Sequence, residues 1–217
     1  MTVKLFYAPG ACSFVPHALL EIAGAVYEPK SVKLHKGEQA SPEYLAMNPR
    51  GQVPVLVDGD QVITQIIAII NYIDDTLAAG RFLPKEPLQR ARVMERLAWF
   101  NNTVHPTFTH IFMPQKFSAD ETHWPELRAF NTAKFRECLA EIDGFAAKAS
   151  PWLGGNDIGP LDLYALILAR WGGIVGVDPK GWAHLWPHIN KVAQHPAVAK
   201  IVERERLKLD VKPMKPG

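Results

Sequence analysis

Cys12 is the residue whose type and position best suit chemistry. It follows Pro9-Gly10-Ala11, at the point where an extended run hands over to a helical one. A helix start gathers unsatisfied backbone N–H groups and the positive end of the dipole. That setting favours a thiolate, the protein's own or a ligand's. A small residue in a tight turn is the plainer alternative. Ser13 reads as the N-cap. Cys12-Ser-Phe-Val15 is not a Cys-x-x-Cys pair, so internal dithiol exchange is excluded and mixed-disulfide chemistry stays open. Cys138, on the apolar face of a later helix, is expected in the core. Two cysteines in all make neither a disulfide framework nor a four-thiolate zinc site, and they fit a reducing compartment.

Two further segments offer backbone groups to a ligand. Asn48-Pro-Arg-Gly-Gln-Val-Pro-Val-Leu56 carries Pro54 where a strand should start, at the cost of a ladder donor. A cis Val53–Pro54 bond would turn the chain and free the backbone of Val53. Thr64-Gln65-Ile66 places a helix N-terminus after a strand, ready for a carboxylate. Gly159-Pro160-Leu161-Asp162 reads as a structural cap. The eight histidines are scattered, with His105 and His110 flanking Pro106, and no metal set has the expected spacing. Glycine-rich nucleotide loops and the G-x-S-x-G hydrolase elbow are absent.

The elements that must position these residues alternate at first: strand 3–7, helix 14–23 closed by Gly24, strand 26–34, a helix opened by Ser41-Pro42, strand 53–57, a tight turn, strand 61–63, and a helix capped by Thr64 to about Ala79. Prolines and glycine between 80 and 87 mark a linker, and the rest is helical. Met94, Leu97, Ala98, Val104 and Phe108 share one face of a long helix that Pro106 should bend, with Trp99 and Phe100 exposed beside it. Phe135, Cys138, Ile142, Phe145 and Ala149 form the next stripe, and Leu161 to Trp171 is apolar nearly all round. Shorter helices are expected at 182–193 and 196–207, and a poorly ordered tail over 211–217. The 217 residues, 47% hydrophobic, suit two small domains, and a net charge of +2 gives no reason to expect nucleic acid. A chain opening directly on a strand, without a long apolar run, is read as having no signal peptide and no membrane span, hence as cytoplasmic.

As a set, these segments resemble the cytosolic glutathione S-transferase family over essentially the whole chain. Pro9-Gly-Ala-Cys-Ser-Phe-Val-Pro-His17 is similar to the bacterial beta class; Asn48 to Pro54, Trp152-Leu-Gly-Gly155 and Gly159 to Asp162 are shared more widely. The resemblance implies a thioredoxin-like α/β domain over 1–80, a linker at 81–87 and an all-α domain over 88–217 carrying the hydrophobic substrate pocket, assembled as a homodimer. It implies Cys12 at the glutathione sulfur, with Ser13 the alternative donor and Tyr7 a third, and His105 as the active-site histidine. Lys36, Gln52, Val53, cis Pro54, Gln65 and Ile66 would bind the tripeptide, with no metal. Pocket walls would come from Phe14, His105, Phe108, Phe112 and Trp171. Ile66 departs from the usual Ser or Thr, Pro106 from a frequent Lys, and Gly159 from a capping Ser or Thr.

The activity so implied is conjugation of the glutathione thiolate to a hydrophobic electrophile. Lowering a thiol pKa from about 8.5 towards 7 raises its thiolate fraction from a few per cent to about half at neutral pH. The alternatives are a glutathione-dependent thiol reductase, lyase or isomerase on the same site, or a non-catalytic module of this fold.

Overall fold

The computed structural model describes residues 2–213. The chain forms two compact units. One runs to Arg90 and takes back Ala193–Leu207; the other holds Ala91–Val192 and the residues from Lys208. The expected boundary at 81–87 therefore falls slightly later, and the last helix belongs to the α/β unit, not to the helical domain expected over 88–217.

In the α/β unit, β1 (Val3–Tyr7), β2 (Tyr27–Ser31), β3 (Val55–Asp58) and β4 (Gln61–Thr64) form one sheet in the order β2-β1-β3-β4. β1 pairs parallel with β2, Leu5 opposite Pro29, and antiparallel with β3, Leu5 opposite Leu56. Pro29 is tolerated because β2 is an edge strand, where a missing donor breaks no inner ladder. Gly59 turns the β3–β4 hairpin at φ 60°. Alternation along β1 sends Val3, Leu5 and Tyr7 to one buried face, and Phe6 to the other, against Tyr44, Val32 and Val55. Tyr44 comes from α2 (Pro42–Met47), whose Ser41 cap accepts from the Tyr44 amide at 3.2 Å. Among the helices of this unit, α1 (Phe14–Ala23) packs on α3 (Ile66–Thr76) and on α9 (Pro196–Arg204).

α3 starts two residues after Thr64 and ends at Thr76, short of Ala79. Its cap position is Gln65, with φ 71° and no side-chain hydrogen bond. Thr64 completes β4 instead, pairing with Val55.

The helical unit contains α4 (Pro87–Trp99, whose first turn lies in the other unit), a π-helical turn Phe100–Val104, α5 (His105–Phe112), α6 (Trp124–Ala146), α7 (Pro160–Ile174) and α8 (Leu185–Gln194). Just before Pro106 the chain widens into the π-helical turn: the His105 amide reaches the Phe100 carbonyl, ahead of a residue with no N–H to donate. The buried stripe is Val93, Leu97, Phe100, Val104, Phe108 and Ile111. Phe100 is thus core, and Trp99 is half-buried against it. On α6 the core face is Phe135, Leu139 and Ile142, so Cys138 lies beside the core, half-buried. α7 is buried on every side. A Cβ on Gly172 would stand 2.6 Å from the Val177 carbonyl oxygen, and one on Gly173 would stand 2.8 Å from the Val211 side chain. Asp162 caps α7 as expected, accepting from the Gly159 amide at 3.0 Å, and also holds Leu153 N at 2.9 Å and His188 Nε2 at 2.8 Å. Most of the expected loose tail, 214–217, lies outside the described residues.

Candidate functional site

The Pro9–Cys12 loop is held from three directions. Ser13 adopts helical backbone angles and caps nothing. Its buried hydroxyl accepts from the Ala8 amide at 3.0 Å and donates to the Ala8 carbonyl at 3.2 Å, closing the loop on itself. With its one proton so committed, Ser13 has none for a ligand sulfur, contrary to expectation. The Gly10 amide donates to Glu205 at 2.9 Å. Tyr7 is engaged as well: its ring packs 4.3 Å from His17, and its hydroxyl bonds Ser31, with burial pushing the phenol upward.

Cys12 sits at the mouth of α1, and its Sγ–H donates to the Val53 carbonyl at 3.6 Å. The amides of Cys12 and Ser13 point at this sulfur, which favours a thiolate, but burial outweighs them and pushes the thiol up to about 12. Of the two thiolates the helix terminus could favour, the protein's own is therefore opposed by burial, and a ligand's is left. Desolvation wins because the side chain is only 9% exposed.

The Cys12–Val53 contact joins two segments 41 residues apart. Val53–Pro54 is cis, as anticipated. The Gln52 side chain is exposed, and its carbonyl is fixed by the Tyr44 hydroxyl at 2.9 Å and Asn48 Nδ2 at 2.7 Å. Gln65 is exposed in a left-handed conformation that a non-glycine residue adopts at a cost of roughly 1–3 kcal/mol, a form of strain that gathers at ligand sites. Ile66 is 4% exposed, its side chain in the core. Lys36 ends the exposed 3-10 turn Leu34–Lys36. Phe14 is wholly buried, so it walls no open pocket.

In the helical unit, His105 Nδ1 lies 3.0 Å from the Tyr164 hydroxyl, and its ring is 4.7 Å from that of Trp171. Burial, with the Lys116 charge adding to it, lowers its pKa to about 4, so the imidazole is neutral at pH 7. Trp171, Phe108 and Phe112 stack nearly parallel, with centroids 4.5 and 5.2 Å apart, running from buried to exposed. Of the expected pocket walls, these three and His105 do assemble.

Local sequence gave no sign of Glu205, nor of Tyr164 beside His105. Their partners lie 195 and 59 residues away. Among the described residues, no His, Cys, Asp and Glu side chains group as a metal set would, and no helix is long and apolar enough to cross a membrane.

A thioredoxin-like sheet with this Cys12–Val53 junction, followed by a helical unit, defines a class of protein, and comparison with known proteins agrees. The N-terminal domain model of glutathione S-transferases matches residues 1–75. Glutathione S-transferase GstA of Escherichia coli O157:H7 is 30% identical over 209 residues, covering 95% of this chain and all of the relative. The solved glutathione S-transferase from Xylella fastidiosa is 31% identical, with a TM-score of 0.85 over 95% of this chain and 100% of its own. A sphingomonad glutathione S-transferase solved with glutathione is 31% identical, with a TM-score of 0.81 over 94% and 100%. The chain belongs to the glutathione S-transferase family.

Proposed function

We propose that this protein transfers the glutathione thiolate to hydrophobic electrophiles. One observation carries the choice of conjugation over thiol reductase chemistry: Cys12 is held as a thiol, far from its ionisation, with its S–H donating to the Val53 carbonyl. A reductase needs a thiolate that attacks a disulfide. That leaves the Cys12 and Ser13 amides at the mouth of α1 to face a bound thiolate. In this reading Val53 pairs its backbone with the tripeptide next to cis Pro54 and Gln52. The open amides at the start of α3, beside Gln65 and Ile66, take the γ-glutamyl carboxylate, and Lys36 takes the glycyl one. Within the helical unit, the Trp171–Phe108–Phe112 rings receive the apolar partner. Glutathione complexed with the sphingomonad relative supports this choice of co-substrate. A cytoplasmic homodimer is proposed from the habit of the family.

Retention on immobilised glutathione, then parallel assays of conjugation to a generic aromatic electrophile and of disulfide reduction, test the proposal. Retention with conjugation that survives Cys12→Ala is the expected result. Disulfide reduction abolished by Cys12→Ala would establish the reductase, and no retention would establish a non-catalytic module. A monomer by light scattering at micromolar concentration would defeat the dimer.

A further inference from the structure

Phe6 of β1 points to the face of the sheet that α2 covers, and α2 is only six residues long. Its cover is therefore partial. Val32, Tyr44 and Val55 are buried beneath it, while Phe6 and Met47, which pack with them, are only partly so. Between α2 and the edge strand β2 this leaves a groove of about 490 Å³. Small-molecule sites run from roughly 300 to 1,000 Å³. Every wall of the groove belongs to the α/β unit, and none of the residues proposed to hold glutathione lines it.

The apolar wall is pre-organised. Tyr44 donates its hydroxyl to the Gln52 carbonyl at 2.9 Å and its amide to Ser41 at 3.2 Å, which fixes the ring. Phe6 meets that ring edge-on, 6.1 Å away at 79°, so the two form a corner. Aromatic faces attract cations through the ring quadrupole. The charges on the rim are unequal. Lys30, opposite Phe6 in the β1–β2 register, is ion-paired with Glu28. Glu38 accepts from the Lys33 amide at 2.7 Å and lies 3.8 Å from the Lys33 ammonium. Glu43 differs, because among the described residues no cation pairs with it. Its own amide and the Ser41 hydroxyl hold its carboxyl below the usual carboxylate range, so it is ionised at neutral pH.

We propose that this groove binds an organic ammonium cation with an apolar body, the charge answering Glu43 and the body resting on Phe6 and Tyr44. The site lies beyond the transferase reading and does not depend on it. Glutathione, a net anion, would meet Glu43 with the wrong sign. Another anion would have to take Lys30 from Glu28. A peptide added as a fifth strand is opposed by Pro29, which gives edge strand β2 no amide at that position. An exposed ion pair adds little by itself, so the apolar body supplies most of the affinity and Glu43 the choice of sign.

Amide NMR titration of the full chain at pH 7 tests this with three probes of similar shape: phenethylammonium, phenethyl alcohol and phenylacetate. Phenethylammonium should shift the Phe6, Lys30 and Tyr44 amides saturably and bind about tenfold tighter than the alcohol, with phenylacetate weakest. Glu43→Gln keeps the size of an exposed side chain and removes its charge. It should weaken the amine about threefold and leave the alcohol unchanged. Phe6→Leu should weaken the amine more than the alcohol, since it removes a ring and keeps an apolar side chain. Equal binding of the three probes overturns the charge assignment, and tighter binding of phenylacetate gives the groove to anions through Lys30. Shifts of these amides with protein concentration alone give it to a second copy of the chain. No shift at these amides for any probe overturns the site itself. Glutathione is absent from every arm, so each of these results leaves the transferase reading where it was.

Discussion

Removing the Glu205 carboxylate should unfasten the sulfur-binding loop. Glu205 follows α9 and is 3% exposed; one oxygen takes the Gly10 amide at 2.9 Å, the other His17 Nδ1 at 2.7 Å. Arg204, which only donates, stands 3.5 Å from His17 Nε2. Nε2 therefore accepts and Nδ1–H donates to the carboxylate. A hydrogen bond to a charged group is worth roughly 1.5–3 kcal/mol net, so the two together give about 3–6 kcal/mol. Glu205→Ala is expected to lose that amount. Glu205→Gln should recover about half, because its amide offers one acceptor and turns a donor towards the other donor. All six tryptophans lie in the helical unit. The assay is therefore hydrogen exchange at the Ala11 to Val15 amides across a urea series, which reports the α/β unit. A loss below about 1 kcal/mol for the alanine variant, or a glutamine variant as stable as the unmodified protein, would refute the reasoning.

Alkylation at pH 7 should label Cys138 before Cys12. Burial leaves only about one Cys12 in 10^5 as thiolate, while Cys138 is half-exposed; peptide mass spectrometry showing the reverse order would sink this. For His105 the folded pKa of about 4 lies below the unfolded value of about 6.5, so the unfolded chain binds the extra proton between them. Stability should accordingly be lost as pH falls from about 6.5 to about 4, with a ceiling of about 3 kcal/mol, and His105→Gln should flatten that part of a urea-midpoint profile. Ile66→Ser should cost about 2–4 kcal/mol, since the Ile66 side chain is buried. It should also tighten glutathione about tenfold by adding a hydroxyl to the α3 amides; an unchanged Kd in calorimetry would show that the backbone alone holds the carboxylate.

Local rules carried the element order a long way. β1, α1 and the Gly24 stop fall where strand propensity, helical spacing and a left-handed glycine put them, because each depends on residues a few positions apart. The Ser41 and Asp162 caps were legible for the same reason, as was the proline that breaks the start of β3. The Thr64 cap failed because register decided it: pairing with Val55 drew Thr64 into β4 and left Gln65 to make the turn. At the site, sequence located Cys12 and Val53, but only the tertiary structure joined them and set the state of the thiol. A helix terminus lowers a thiol pKa and burial raises it, and how deeply a side chain is enclosed depends on residues far along the chain. The same holds for Glu205, which reaches the loop from just past the last helix, and for Tyr164, whose hydroxyl lies 3.0 Å from His105 Nδ1. Short-range propensity is written in neighbouring residues; solvent exclusion and hydrogen-bond direction are settled only when distant segments meet.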